Sequence, residues 1–394
     1  MNRTLIITVA AALLAATPAV AQDDLRRVLE SVERNNLTLQ AEAHATAGRT
    51  FEARTGNSLE PLSVSYSSAG DSPQALGKEG ELEVSQSFDL PMLYATRSRI
   101  ARTLAQQYET EYLALRQQIL LEAKEVYLEL CALHGIMELN RPRLAAAEHM
   151  AALFASRYET GDATAIDKNR TEVEYLLLKE ELSAVDMRMI ELSQRLAVLN
   201  GGEMPECGYT MPPAEEQMPL EVLLADWEEY APELTALRLQ EQGARYDVRL
   251  SRQQALPKVE LGYKYEYGTG EHFNGFTAGL SIPILSNRHN VKRAHAMEQA
   301  AKANTESALA QQRSSVRELY LKVDYTGRLL ESFGGLPDAA GYIDMLGRTL
   351  EAGQINIVDY YSELDTFYSA LETRIRTDLE YRLGLARLNV IYML

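Results

Sequence analysis

Val259-Glu260-Leu261-Gly262-Tyr263-Lys264-Tyr265-Glu266-Tyr267 puts an apolar or aromatic side chain at every second position, with charged residues or glycine between them. Strict period two is the mark of a β-strand with one apolar and one wet face. A polar, Gly-rich connection over Gly268 to Gly275 follows, after which Phe276, Ala278, Leu280 and Ile282 alternate with Thr277, Gly279 and Ser281. The two runs are read as a hairpin. The first half of the chain repeats the plan. Leu62, Val64 and Tyr66 stand against Ser63, Ser65 and Ser67. Leu82, Val84, Phe88 and Leu90 then stand against Glu81, Glu83, Ser85, Ser87 and Asp89, with Gln86 the one polar break in the apolar face. Each hairpin exits at a proline, Pro91 or Pro283, which lacks an N–H and ends the ladder.

These exits belong to a longer repeat. Asp89-Leu90-Pro91-Met92-Leu93 returns as Ser281-Ile282-Pro283-Ile284-Leu285, at an offset of about 192 residues, too long a period for a solenoid. Tyr158-Glu159-Thr160-Gly161-Asp162 with Ile166-Asp167 returns at the same offset as Leu350-Glu351-Ala352-Gly353-Gln354 with Val358-Asp359. The chain is therefore read as internally duplicated. Each unit is a helix, two strands, a long helical stretch, a glycine turn and another helix. The expected organisation is a signal peptide over 1–21, a first repeat over 22–205, a linker over 206–219 and a second repeat over 220–394.

The signal peptide is read from Arg3, the apolar run from Leu5 to Ala16 and the cleavage pattern Ala19-Val20-Ala21. The mature chain is expected to begin near Gln22. The run is too short to span a bilayer, and downstream no stretch approaches the ~20 uninterrupted apolar residues of a spanning helix. Any membrane crossing must be made of strands. Four strands are too few to enclose a lumen, and an open sheet edge cannot face lipid because its N–H and C=O groups would go unpaired. Several chains must share one barrel, and three copies give about twelve strands, within the range of outer-membrane barrels.

From Tyr94 to Tyr158 the only glycine is Gly135 and the only proline Pro142, amid abundant Ala, Leu, Glu, Gln and Arg, all strong helix formers. Leu115, Ile119, Ala123, Val126, Tyr127 and Leu130 recur at helical spacing, as do Leu144, Met150, Ala151, Phe154 and Ala155. The second half has a helical stretch from Arg288 to Ser332, a break at Gly334-Gly335-Leu336-Pro337, and another from Asp338 to Glu351. A comparable break is expected in the first half. Gly161 and Gly353 sit where a left-handed cap ends a helix, so each half is expected to close in an antiparallel helical hairpin.

A net charge of −17 argues against nucleic acid as a partner, which needs clustered Lys and Arg. Two cysteines, Cys131 and Cys207, do not make a disulfide scaffold, and the sequence leaves open whether they are bridged. Cys131 and His134 share a helix face, a spacing that suits a soft metal, but a packed thiol beside a satisfied histidine is the preferred reading. No metal or cofactor site is expected. The six histidines are scattered, and no H-E-x-x-H, G-x-S-x-G or phosphate loop occurs, so no enzyme is expected.

On the two tip turns, Arg157-Tyr158-Glu159-Thr160-Gly161 with Asp167 and Thr349-Leu350-Glu351-Ala352-Gly353 with Asp359, and on the exits at Pro91 and Pro283, the chain resembles the TolC family of outer-membrane efflux proteins. The resemblance spans essentially the whole mature chain. It implies a mixed α and β membrane protein: a homotrimer in outer-membrane lipid, with a twelve-strand barrel continued by a long periplasmic α-helical barrel. It also implies docking of the tips at Gly161, Asp167 and Gly353 onto a periplasmic adaptor protein and an inner-membrane pump. The exit duct of a tripartite efflux system is the implied function. An exit duct for type I protein secretion and a soluble periplasmic coiled-coil scaffold are the alternatives. Ser87-Phe88-Asp89-Leu90-Pro91 with Tyr94 and Arg97 resembles members paired with heavy-metal pumps of the resistance-nodulation-division class.

The family's gate aspartate falls on Asp359. Its second falls on Ser362, where Glu363 or Asp365 are the substitutes on offer. A ring of carboxylates at a constriction repels anions and can be held by salt bridges, with Arg374 a candidate partner. Asp359 is equally placed to cap the helix that follows the turn.

Overall fold

The computed structural model describes residues 18–69, 79–268, 272–283 and 288–393. Residues 1–17, which hold most of the expected signal peptide, lie outside the described residues, as do Ile284 and Leu285. In chain order the elements of the first half are α1 (Pro18–Asn35), α2 (Leu37–Thr55), β1 (Ser63–Ala69), β2 (Glu79–Phe88), α3 (Pro91–Thr160) and α4 (Ala165–Leu199). The second half runs α5 (Leu220–Tyr230), α6 (Pro232–Gln253), β3 (Lys258–Tyr267), β4 (His272–Ser281), α7 (Arg288–Ser332), a 3-10 turn (Phe333–Gly335), α8 (Ala339–Glu351) and α9 (Ile357–Leu388).

Two helices, where one is expected, precede the strands in each half. Asn36 divides the first pair: its Oδ1 accepts the Leu39 N–H at 2.9 Å and its Nδ2 donates to the Leu199 carbonyl at 2.8 Å. Pro232 divides the second, at the first position of α6, where a missing N–H costs nothing.

The expected break near Pro142 is absent. Pro142 lies inside α3, an unbroken helix of 70 residues, roughly 105 Å at 1.5 Å per residue. One proline forfeits one hydrogen bond, and the Ala, Leu and Glu residues around Pro142 keep the helix running. The second half does break, because Gly334 and Gly335 lower helix propensity and Pro337 holds Leu336 extended, at φ −64° and ψ 138°.

The chain divides into two compact units that cut across the halves. One comprises 1–40, 115–227 and 313–394, and the other 41–114 and 228–312. In the first, Leu223, Val316, Val323, Leu385 and Leu388 form one core cluster, and Trp227 Nε1 donates to the Leu388 carbonyl at 2.9 Å. Leu346, Leu364 and Tyr368 form another, with Leu139 of α3 packed against it. Helices from both halves therefore share one core. Gly384 permits close approach there, since a Cβ at that position would collide with Val323.

The second unit holds a four-stranded antiparallel sheet in the order β1-β2-β3-β4. The central pair joins the halves, with Leu82 opposite Tyr265, Val84 opposite Tyr263 and Phe88 opposite Val259. The connection read over Gly268 to Gly275 is shorter than expected. His272 already pairs with Tyr267 and Gly275 with Lys264, because the ladder satisfies backbone groups whatever the side chains.

Candidate functional site

The tip turns are built alike. Gly161 has φ +82° and Gly353 φ +68°, a conformation that side chains with a Cβ avoid. At the first tip the Gly161 N–H reaches the Tyr158 carbonyl at 3.1 Å and the Asp162 N–H reaches Arg157 at 2.8 Å. At the second, Gly353 reaches Leu350 at 3.0 Å and Gln354 reaches Thr349 at 3.1 Å. Both are Schellman closures, which satisfy carbonyls that the helix end leaves free.

Each following helix starts on a polar cap. Thr164 Oγ1 accepts the Asp167 N–H at 3.2 Å and Asp167 Oδ2 accepts the Thr164 N–H at 3.1 Å, a complete capping box. The Thr164 hydroxyl and N–H hold the Asp167 carboxyl below the usual carboxylate range. In the second tip Asn356 Oδ1 accepts the Val358 and Asp359 N–H groups at 2.8 and 2.9 Å, and Asn356 Nδ2 donates to Asp359 Oδ2 at 2.7 Å. Thr164 and Asn356 were not singled out in the sequence, although a cap-forming residue three positions before an acid is a readable signal.

The three candidate gate carboxylates are exposed on α9 and have different partners. Asp359 is held by Asn356. Glu363 Oε2 accepts the Tyr342 hydroxyl of α8 at 3.2 Å. Asp365 is 2.9 Å from Arg143 of α3, whose guanidinium also lies over the Tyr368 ring. Arg374 is no partner of Asp359 within the chain, being fifteen residues further along the same helix, roughly 22 Å at 1.5 Å per residue. Between these acids the Tyr361 hydroxyl is buried with no hydrogen-bond partner among the described residues, and burial pushes it up to about 12, so it stays neutral.

At the first exit Pro91 opens α3, and buried Asp89 sits between two cations, Arg97 at 2.7 Å and Lys258 at 3.7 Å. The Tyr94 hydroxyl accepts the Asp89 N–H at 3.2 Å, and Arg97 lies over the Tyr94 ring. The fold thus brings Asp89, Tyr94 and Arg97 into one contact. Pro283 follows β4 as the last described residue before 288.

The register divides the sheet into two faces. Val64, Tyr66, Leu82, Val84, Phe88, Val259, Leu261, Tyr263, Phe276, Ala278 and Leu280 share one side, where Val64, Leu261 and Leu280 are more than half exposed and Phe276 is 91% exposed. Gln86 interrupts this face as expected, and its amide donates to the Glu60 carbonyl at 3.0 Å. Gly80 makes room for the Tyr267 ring, whose hydroxyl meets that of Tyr66 at 2.7 Å. The other face carries Glu81, Glu83, Glu260, Lys264 and Glu266, with Lys264 3.0 Å from Glu81 and the Ser85 hydroxyl 3.1 Å from Glu260.

The described residues thus combine a four-stranded sheet, greasy on one side and charged on the other, with helical hairpins at the two tips. Residues 223–390 match the family described as outer membrane efflux protein. Outer membrane protein TolC of Vibrio cholerae is 22% identical to the chain over 98% of this chain and 94% of that protein. The Campylobacter jejuni CmeC outer membrane channel superposes with a TM-score of 0.76 at 14% identity, covering 94% of this chain and 85% of that one. CusC, whose structures concern transmembrane channel formation, gives 0.72 at 13% identity, covering 94% and 92%. The chain is thus similar to outer-membrane efflux proteins over nearly its whole length.

Proposed function

We propose that three copies of this chain form the exit duct of a tripartite efflux system. In this reading a periplasmic adaptor docks on the tips around Gly161, Asp167 and Gly353, and an inner-membrane pump supplies the cargo. The observation that carries the reading is the four-stranded sheet whose outer edges, β1 and β4, are unpaired among the described residues and whose exposed apolar face is broken at Gln86 and Asn274. Such edges need partners in lipid, and a copy of the same sheet offers them. Residues 1–21 direct export, and the chain carries out no catalytic step.

Asp359 is the gate carboxylate. Three copies at one level present a ring of negative charge to the cargo. Glu363 and Asp365 contribute less, since each already has a partner from a neighbouring helix.

The mass of the native species after detergent extraction of the outer-membrane fraction tests the assembly. A trimer that requires detergent supports the shared barrel. A monomer released into the periplasm without detergent overturns it in favour of a coiled-coil scaffold.

A further inference from the structure

The segment between the halves is pinned to the face of α3 that holds Cys131, and it carries the chain's second cysteine, Cys207. Asp24 Oδ2, almost fully buried, accepts the Tyr127 hydroxyl at 2.6 Å and the Gly208 N–H at 2.7 Å. The Tyr127 hydroxyl also lies 3.2 Å from the Thr210 carbonyl. Tyr209, held at φ +50°, stacks on His134 with centroids 5.5 Å apart. Tyr127 and His134 stand one helical turn before and after Cys131 on one face of α3. Residues 208–210 therefore cross that face at Cys131, and Cys207 is the residue that leads into the crossing. Cys131 is buried and Cys207 half-buried, both as thiols.

We propose that Cys131 and Cys207 are joined by a disulfide in the exported protein, tying the inter-repeat segment to α3. This rests on the exit-duct reading above, in which the chain passes through the oxidising periplasm, where such bonds persist. The oxidant is the disulfide of a periplasmic dithiol oxidase. The more exposed Cys207 attacks it as thiolate, forming a mixed disulfide and releasing one oxidase thiolate, which takes up a proton. Cys131, as thiolate, then attacks the Cys207 sulfur and expels the second oxidase thiolate. The two cysteines lose two electrons and two protons, and the oxidase disulfide becomes two thiols.

Burial pushes the Cys131 thiol up to about 12 and the Cys207 thiol up to about 11, so neither is a ready nucleophile once the segment has packed. The bond is therefore made with the oxidase before Asp24 and Tyr127 close over the segment.

The test is a peptide map of the full-length protein, extracted without reductant and alkylated in denaturant. The expected result is one linked pair of Cys131 and Cys207 peptides, about 2 Da lighter than the two thiol peptides together, with neither cysteine alkylated. Protein from cells lacking the periplasmic oxidase should show both alkylated, and Cys131→Ser should leave Cys207 open to alkylation. Full alkylation of both cysteines in protein from oxidase-competent cells overturns the proposal. A bridge between two chains also overturns it.

Discussion

Asn356 and Asp359 hold each other: the Asn356 amide donates to the Asp359 carboxylate at 2.7 Å, and the Asn356 side-chain oxygen accepts the Asp359 N–H at 2.9 Å. The carboxylate proposed as a gate is thus aimed by the helix cap within its own chain. Capping and gating, both open on the sequence, are compatible roles for one residue.

Asp359→Ala removes the charge and the cap contact together. Single-channel conductance in planar bilayers is expected to rise and cation preference to weaken. Asp359→Asn keeps the shape and removes only the charge, and it should reproduce the electrical change. If only the alanine variant differs from the parent, cap geometry and not charge sets the conductance.

Gly161→Val and Gly353→Val each force a β-branched residue to positive φ, at a local cost of roughly 1–2 kcal/mol. Nothing lies within 4 Å of a Cβ at either position, so the strain stays in the turn. Efflux should be lost while the trimer still assembles in the outer membrane. Drug or metal tolerance in an efflux-deficient host reads the first and detergent-resistant trimer the second. Intact efflux in both variants removes the tips as a docking surface.

The first tip is expected to weaken in acid. The bonds from Thr164 hold the Asp167 carboxyl below its ordinary value, so the folded state binds that proton less readily than the unfolded state does. The stabilisation is present above the ordinary carboxylate range and is lost as pH falls through the lowered folded value. Thr164→Val removes the hydroxyl. Its melting temperature should fall below that of the parent at neutral pH, and the gap should shrink as pH drops below about 4. A gap independent of pH would exclude the carboxylate as its source.

Gly384→Ala places a methyl group against Val323 where α7 and α9 meet. Overpacking of this kind costs typically about 1–3 kcal/mol. Thermal unfolding in detergent should occur at lower temperature, and the double variant Gly384→Ala with Val323→Ala should recover part of the loss. An unchanged melting temperature would mean that the two helices separate without cost.

Much of the fold was legible because its signals are local. Period-two alternation marked β1 to β4, and the caps at Gly161 and Gly353 follow from a glycine beyond a helix end. Asp359 could be singled out by its offset from Asp167, yet its Asn356 partner was missed although it lies only three residues away. The partners of Glu363 and Asp365 were not legible at all. Tyr342 and Arg143 lie on other helices, and nothing in the local pattern around residue 365 points to residue 143.

The sequence by itself determined the element types, the duplication and the two faces of each strand, since these depend on spacings of two to four residues. Only the tertiary structure decided that β2 pairs with β3 across the halves, that α3 runs unbroken through Pro142, and that Asp24, Tyr127 and Gly208 gather beside Cys131. The first and last depend on which distant segments meet, and the second on the balance between one lost hydrogen bond and the many that surround it.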